Sequence, residues 1–301
     1  MSYSCRTGRC SACKCKVVDG HSVTLREELG LTKQESEKGW ILSCVRTPTT
    51  DMALEVEDLG GLTLPSVKTL PCRIQALEKL AMDVMKVVLR LPASSDFSFY
   101  PGQYIDVIAQ GGLRRSYSLA SAWHSEKLLE LHVREVPTGV MSDYWFTRAK
   151  ENDLLRLTGP LGTFVLRKIG GLDLIFLATG TGIAPVKAML ESIESAQMED
   201  CPRSITVYWG GRSSDDLYWD FSTINGPYRY VPVLSRASIA WTGKRGHVQS
   251  VMLADAPNLN ESVVYACGSN AMIQDAKEVL VGAGLPESRF LSDAFVCSAV
   301  N

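Results

Sequence analysis

The chain has 301 residues, 46% hydrophobic and 21% charged, with a formal net charge of −2: an ordinary globular balance, long enough for two or three domains with real cores. The mixed signs leave no basic stripe of the kind that binds nucleic acid. The longest apolar stretch, residues 172–178, is far short of the roughly 20 residues a membrane span needs.

The start is polar and cysteine-rich rather than basic and then apolar, so no signal peptide is read and the expected compartment is the cytoplasm. Nine cysteines in such a chain argue against a disulfide framework. Their placement is uneven: Cys5, Cys10, Cys13, Cys15 and Cys44 come early, and Cys72, Cys201, Cys267 and Cys297 are scattered. Cys5-x4-Cys10-x2-Cys13, followed by Cys44 after 30 intervening residues, is the plant-type [2Fe-2S] spacing: one short loop supplies three thiolates and a distant segment the fourth. Gly8 has no Cβ to keep backbone N–H groups away from inorganic sulfide. Structural zinc usually takes its ligands as two close pairs in sequence, whereas this split is three plus one. Cys15 falls outside the pattern and reads as a non-ligand on a following strand.

A Gly/Pro-rich stretch over 58–72 reads as a linker. After it come short alternating segments at 72–77, 84–91, 104–108, 116–120, 128–134 and 154–157, the pattern of an antiparallel barrel. Arg115-Ser116-Tyr117-Ser118 ends one of them with a guanidinium, an aromatic face and a hydroxyl, which offer an anion clamp, a stacking surface and a hydrogen bond. A helix is predicted to open at Gly139-Val-Met-Ser142 and to run through Ala149; its N-terminus is a ready anion site, and simple helix capping by Ser142 is the alternative. The apolar run 172–178, the turn Thr179-Gly-Thr-Gly182 and a helical pattern to Glu194 read as strand, glycine turn and helix, the first unit of a doubly wound nucleotide fold. Further strands end at Gly210-Gly-Arg212 and at Cys267-Gly268. None of His21, His124, His132 and His247 has metal-ligand spacing or a nearby nucleophile motif, so no histidine is assigned to catalysis.

Arg115, Tyr117 and Ser118, with Pro101-Gly-Gln-Tyr104 upstream, resemble the flavin signature of the ferredoxin–NADP reductase superfamily, and the cysteine motif resembles its N-terminal plant-type ferredoxin modules. The resemblance implies three domains: a truncated β-grasp [2Fe-2S] ferredoxin over 1–62, an antiparallel β-barrel flavin domain over 68–167 and an α/β doubly wound NAD(P)H domain over 170–301. Only four residues precede Cys5, where such modules carry a hairpin and a helix, so cluster assembly is left open and a flavin-binding regulator without a working cluster stays as an alternative. It also implies FAD held by Arg115, Ser116, Tyr117, Ser118, His132, Arg134, Gly139, Met141 and Ser142. NADH or NADPH would be held by Gly180, Thr181, Gly182, Arg212, Cys267 and Gly268, and a cluster by Cys5, Cys10, Cys13 and Cys44. Ser118, Cys267 and Phe295 would act at the reacting atoms, with Asp293 beside Phe295; a buried core thiol is the alternative for Cys267. Arg212 leans toward a 2′-phosphate, and Asp215 and Asp216 toward a 2′-hydroxyl. The strings Leu131-His-Val-Arg-Glu-Val-Pro137, Gly182-Ile-Ala-Pro-Val-Lys187, Tyr265-Ala-Cys-Gly-Ser269 and Ser292-Asp-Ala-Phe295 resemble the reductases of 3,6-dideoxyhexose synthesis. The implied partner is an electron acceptor, either a pyridoxamine-phosphate-dependent dehydratase or an oxygenase component.

Overall fold

Alternation around Cys15 builds β1 (Lys14–Asp19), which pairs antiparallel with both β3 (Trp40–Leu42) and β5 (Ala53–Glu55). Beside this three-stranded sheet, β2 (Ser22–Thr24) pairs with β4 (Arg46–Pro48). The helix α1 (Lys33–Glu37) is opened by a capping box between Thr32 and Glu35, which satisfies two of its orphan N–H groups. Cys15 is wholly buried, while the small core behind the cysteine loop is Cys13, Leu42 and Val45. The computed structural model describes residues 1–56, 59, 61–123, 126–195, 201–224 and 226–295. His124, Cys297 and part of the expected linker lie outside the described residues.

The second sheet contains β6 (Lys68–Ala81), β7 (Val84–Arg90), β8 (Tyr104–Ile108), β9 (Arg114–Ser118), β10 (Leu128–Arg134) and β11 (Leu154–Leu161). Its order is β10-β7-β6-β11-β8-β9 and every pairing is antiparallel. A bridge between Leu119 and Leu131 closes the ends into a barrel. Inward residues at period two, among them Ile74, Leu89, Ile105, Leu129, Leu131 and Leu157, are wholly buried; each contributes roughly 1.5–3 kcal/mol by leaving water. One expectation changes here: β6 begins at Lys68 rather than Cys72, because β11 extends to Gly159 and pairs with the earlier residues. The expected helix is one turn, α2 (Val140–Asp143), continued by a wider π turn over Tyr144–Arg148.

In the third unit, β12 (Asp173–Thr179) is followed by α3 (Ile183–Ser195), then by β13 (Ser204–Gly211), β14 (Tyr228–Leu234), β15 (Lys244–Arg245) and α4 (Val248–Ala254). The chain then returns through β16 (Ser262–Ser269), α5 (Asn270–Gly282) and β17 (Phe290–Phe295). All pairings are parallel, in the order β15-β14-β13-β12-β16-β17. The strand order therefore reverses between β12 and β16, the place where an open α/β sheet leaves a crevice for a ligand. α3 covers one face through Val186, Met189 and Leu190, and α4 with α5 cover the other through Met252, Ile273 and Ala276. The unread strand β14 carries Pro232, normally a mark against an interior strand. It is tolerated because β15 pairs only with Val233 and Leu234, so β14 is an edge where the proline sits.

Candidate functional site

The four motif cysteines meet as two close pairs. Cys10 donates its thiol hydrogen to Cys5 with the sulfurs 3.0 Å apart, and Cys13 is bonded to Cys44 in the same way. Backbone N–H groups are aimed at the acceptor sulfurs: Thr7 and Cys10 at Cys5, each at 3.4 Å, and Gly8 at Cys44. The Cys10 thiol donating to Cys5 holds Cys5 down at about 4, and the Cys13 thiol holds Cys44 at about 7, whereas Cys10 and Cys13 are pushed up by their partners and by burial. Among the described residues no three or more His, Cys, Asp or Glu side chains converge as a single-ion site requires. Two thiol pairs with amide donors facing the sulfurs fit a two-iron cluster, each iron taking one pair.

Gly8 sits at φ +74°, and a Cβ there would lie 2.6 Å from the Glu27 carbonyl oxygen, so packing as well as amide approach requires glycine. Behind the loop, Arg46 grips Glu28 with two bonds of 2.9 and 2.6 Å, and Glu28 also accepts from the Leu42 N–H at 2.6 Å. This pair fixes the segment that carries Cys44, and no local sequence pattern announced it.

A cleft of 1880 Å³ runs between the three units. Its flavin half is walled by β9 and by the turn into α2. Arg115, Ser116, Tyr117 and Ser118 all reach it, although Ser116 spends its hydroxyl on Asp106 at 2.6 Å. Tyr117 accepts a 3.0 Å bond from the indole N–H of Trp145, a wholly buried residue of the π turn. Burial raises the Tyr117 phenol to about 12, so it stays neutral and its own proton remains available to a ligand. Gly139 and the buried Met141 and Ser142 form the next wall. Ser142 does not cap the helix as the alternative supposed: it lies inside α2 and accepts from the Val136 N–H at 2.8 Å. His132, assigned to the cofactor by resemblance, has both ring nitrogens engaged, with Tyr218 at 3.0 Å and Glu130 at 2.9 Å. It borders the cleft without a free nitrogen to offer.

Arg134 leaves Nε and Nη2 buried with no hydrogen-bond partner, Nε lying 3.6 Å from Asp83, and its guanidinium faces the Gly180 turn. A buried guanidinium on the wall of a wide cleft, with Nη2 left without a partner, fits an anionic dinucleotide. Opposite, Gly180 and Thr181 form a tight turn whose Gly180 carbonyl accepts from the Trp209 indole at 3.0 Å. Gly182 and Gly268 are closeness requirements: a Cβ on Gly182 would lie 2.2 Å from the Cys267 oxygen, and one on Gly268 2.1 Å from Thr179 Oγ1.

Cys267 was expected at the reacting atoms, with a buried core thiol as the alternative. Its side chain is wholly buried in the sheet core, where burial pushes the thiol well up, and only the neighbouring Gly268 reaches the cleft. Asp216 borders the cleft with its carboxylate already engaged. It accepts from the Arg212 N–H at 2.7 Å and pairs with Arg134 at 3.1 Å; burial would raise its carboxyl, yet these partners hold it at about 2. Arg212 itself is exposed at the cleft rim.

The cysteine loop closes the far end. Ser4 donates to Asp293, Tyr104 donates to the Ser4 carbonyl at 2.7 Å, and Tyr3 exchanges bonds with Thr163. Cys5, Asp293 and Phe295 therefore line the same cleft as Tyr117 and Ser118.

Residues 1–49 match the 2Fe-2S iron-sulfur cluster binding domain, 71–166 the oxidoreductase FAD-binding domain and 176–278 the oxidoreductase NAD-binding domain. The chain is 40% identical over 302 residues to the CDP-6-deoxy-L-threo-D-glycero-4-hexulose-3-dehydrase reductase of Yersinia pestis, covering 99% of this chain and 90% of that protein. It is 30% identical to the reductase component of the naphthalene 1,2-dioxygenase system of Pseudomonas putida, over 98% and 89% of the two chains. The solved cytochrome P450 reductase GcoB of Amycolatopsis superposes with a TM-score of 0.78 at 29% identity, over 98% and 90%. The chain thus belongs to the ferredoxin–NADP reductase superfamily, among the members with an N-terminal [2Fe-2S] domain, and is an NAD(P)H-dependent oxidoreductase that passes electrons by way of FAD and the cluster to an acceptor protein.

Proposed function

We propose that the acceptor is a pyridoxamine-phosphate-dependent dehydratase acting on a CDP-sugar, so that this chain works as a CDP-6-deoxy-Δ3,4-glucoseen reductase with NADH as donor in the cytoplasm. The observation that carries this reading is the 40% identity along nearly the whole chain to a reductase of that name type, against 30% to a dioxygenase reductase component. Cluster thiolates of this kind belong in a reducing compartment, which supports the cytoplasmic reading. Among the described residues no helix is long and apolar enough to cross a membrane.

FAD held here would supply the exchange between the two-electron chemistry of a nicotinamide and the one-electron chemistry of a cluster. The protein's own contribution is position. In this reading Arg115 and Arg134 face the diphosphates, Tyr117 supplies the stacking surface and Ser118 a hydrogen bond at the ring edge. Thr181 and Gly268 seat the nicotinamide, and Phe295 covers the ring from β17. The domain bounds 1–62, 68–167 and 170–301 complete the proposal.

The test is reconstitution of the loaded chain with NADH and either a CDP-4-keto-6-deoxyhexose dehydratase carrying pyridoxamine phosphate, or a ring-hydroxylating dioxygenase component. Deoxygenated sugar in the first mixture and little product in the second is the expected result. Turnover with the oxygenase alone would replace this reading by the oxygenase-reductase one, which the 30% identity supports. Iron and acid-labile sulfide in the ratio of a [2Fe-2S] cluster would exclude a regulator lacking a working cluster.

A further inference from the structure

We infer that Lys187 is a positioning residue for hydride transfer, the centre of a buried charged latch that sets how the nucleotide-binding sheet sits against the flavin barrel. Lys187 lies on α3, one turn beyond the Gly180–Gly182 bend that forms the nicotinamide half of the cleft. Its ammonium reaches across to the barrel, donating to the Ala120 carbonyl at 3.0 Å and pairing with Glu130 of β10 at 3.1 Å. On its own helix it pairs with Glu191 at 2.5 Å, and Glu191 in turn accepts from the Ala122 N–H of the barrel at 2.8 Å. Glu130 also accepts from His132 at 2.9 Å, whose other nitrogen meets Tyr218 of the nucleotide unit at 3.0 Å. The chain of bonds thus crosses the domain boundary four times.

The charged side chains of Lys187, Glu130 and Glu191 are only 12%, 17% and 22% exposed. A buried ionic cluster is weak evidence for stability, since well-packed apolar residues of similar volume often serve as well or better. What such a cluster offers instead is a single relative placement of the parts it joins, because a slipped arrangement strands a charge. Here the two joined parts are β10, which continues to Arg134 on the flavin side, and the first turns of α3, which follow directly on the Gly180–Gly182 bend that holds Thr181. Hydride transfer depends steeply on the separation of the reacting atoms, and a misplacement of about 1 Å can cost on the order of a hundredfold. Lys187 touches neither ligand site, so its effect is exerted through the two walls it joins.

The inference rests on the NAD(P)H-to-flavin step alone, so failure of the dehydratase reading leaves it intact. The experiment is anaerobic stopped-flow reduction of the FAD- and cluster-loaded chain by NADH in Lys187→Met, Lys187→Arg and Glu191→Gln, with deuterium exchange of the peptide containing Ala122. The limiting rate of flavin reduction should fall by about tenfold or more in Lys187→Met, with flavin content and the half-saturating NADH concentration kept within about twofold. Lys187→Arg should recover most of that rate, and exchange at Ala122 should quicken in the Met and Gln variants. An unchanged limiting rate in Lys187→Met overturns the inference, as does a fall that Arg does not rescue or that follows loss of flavin. If Lys187→Met does not fold, Glu191→Gln decides: a wild-type limiting rate there overturns it, and a lowered rate with faster Ala122 exchange supports it.

Discussion

The cluster module and the nucleotide-binding unit solve the same problem, holding a redox group in place, with opposite distributions of material. Behind its cysteine loop the module has Cys13, Leu42 and Val45 as buried core, so the would-be ligands are a large part of the core itself. The nucleotide unit has a six-stranded sheet packed on both faces, and its site is made mostly of backbone at strand ends. In the first, a bound cluster would add to a small core; in the second, the core stands apart from the ligand site.

The sharpest way to break this contrast is Cys44→Ser. It should abolish the cluster, measured as iron and sulfide, and electron delivery to the acceptor should drop to background while NADH still reduces the flavin. Retention of a full cluster would show that the Cys13–Cys44 pair is not one of its two grips. Next in size is Glu28→Ala, which strands the Arg46 guanidinium, 19% exposed, behind the loop. Breaking a buried pair costs about 3 kcal/mol, so the variant should surrender iron to a chelator much faster, with the flavin and nucleotide units melting as before. Gly182→Ala tests the other side. Its Cβ would press on the Cys267 carbonyl, a cost of about 2 kcal/mol from overpacking, read as a lowered melting midpoint of the nucleotide unit with iron content unchanged.

Trp145→Phe should cost less, about 1 kcal/mol for the lost bond to Tyr117, and should shift the bound flavin's absorption or fluorescence without changing iron content. Between pH 7 and 5 the mildest effect is expected from acid. Glu130 and Asp216 are held at about 2 in the folded chain against ordinary values of 4.5 and 3.8. For carboxyls depressed by folding, the stabilisation is whole above the ordinary values and is lost as pH falls toward 2. The melting midpoint of the flavin and nucleotide units should therefore respond little to these groups from pH 7 to 5 and drop below about pH 4.

Spacing made much of this molecule legible in its sequence. The cysteine loop, the Arg115–Ser118 strand and the glycine turn at 180–182 are local patterns, and local chemistry dictates them. Cys267 was harder to read because β16 is buried along nearly its full length on both faces, so alternation gives no clue to which side a thiol takes. The contacts that join the units were invisible for another reason. Ser4 and Asp293 are 289 positions apart, and Lys187 and Ala120 are 67 apart, each an unremarkable residue until the fold brings its partner. Trp145 and Trp209 likewise carry no local signal of a role, and only their indole N–H bonds reveal one beyond packing.

The first residues of the chain carry a mechanical consequence. Tyr3 is laced to Thr163 and Ser4 to both Tyr104 and Asp293, which roots the first cluster cysteine in the barrel and in the nucleotide sheet at once. Movement of the cysteine loop away from the cleft would have to break these bonds to both units, so the loop's place beside Tyr117 and Ser118 is held from two sides.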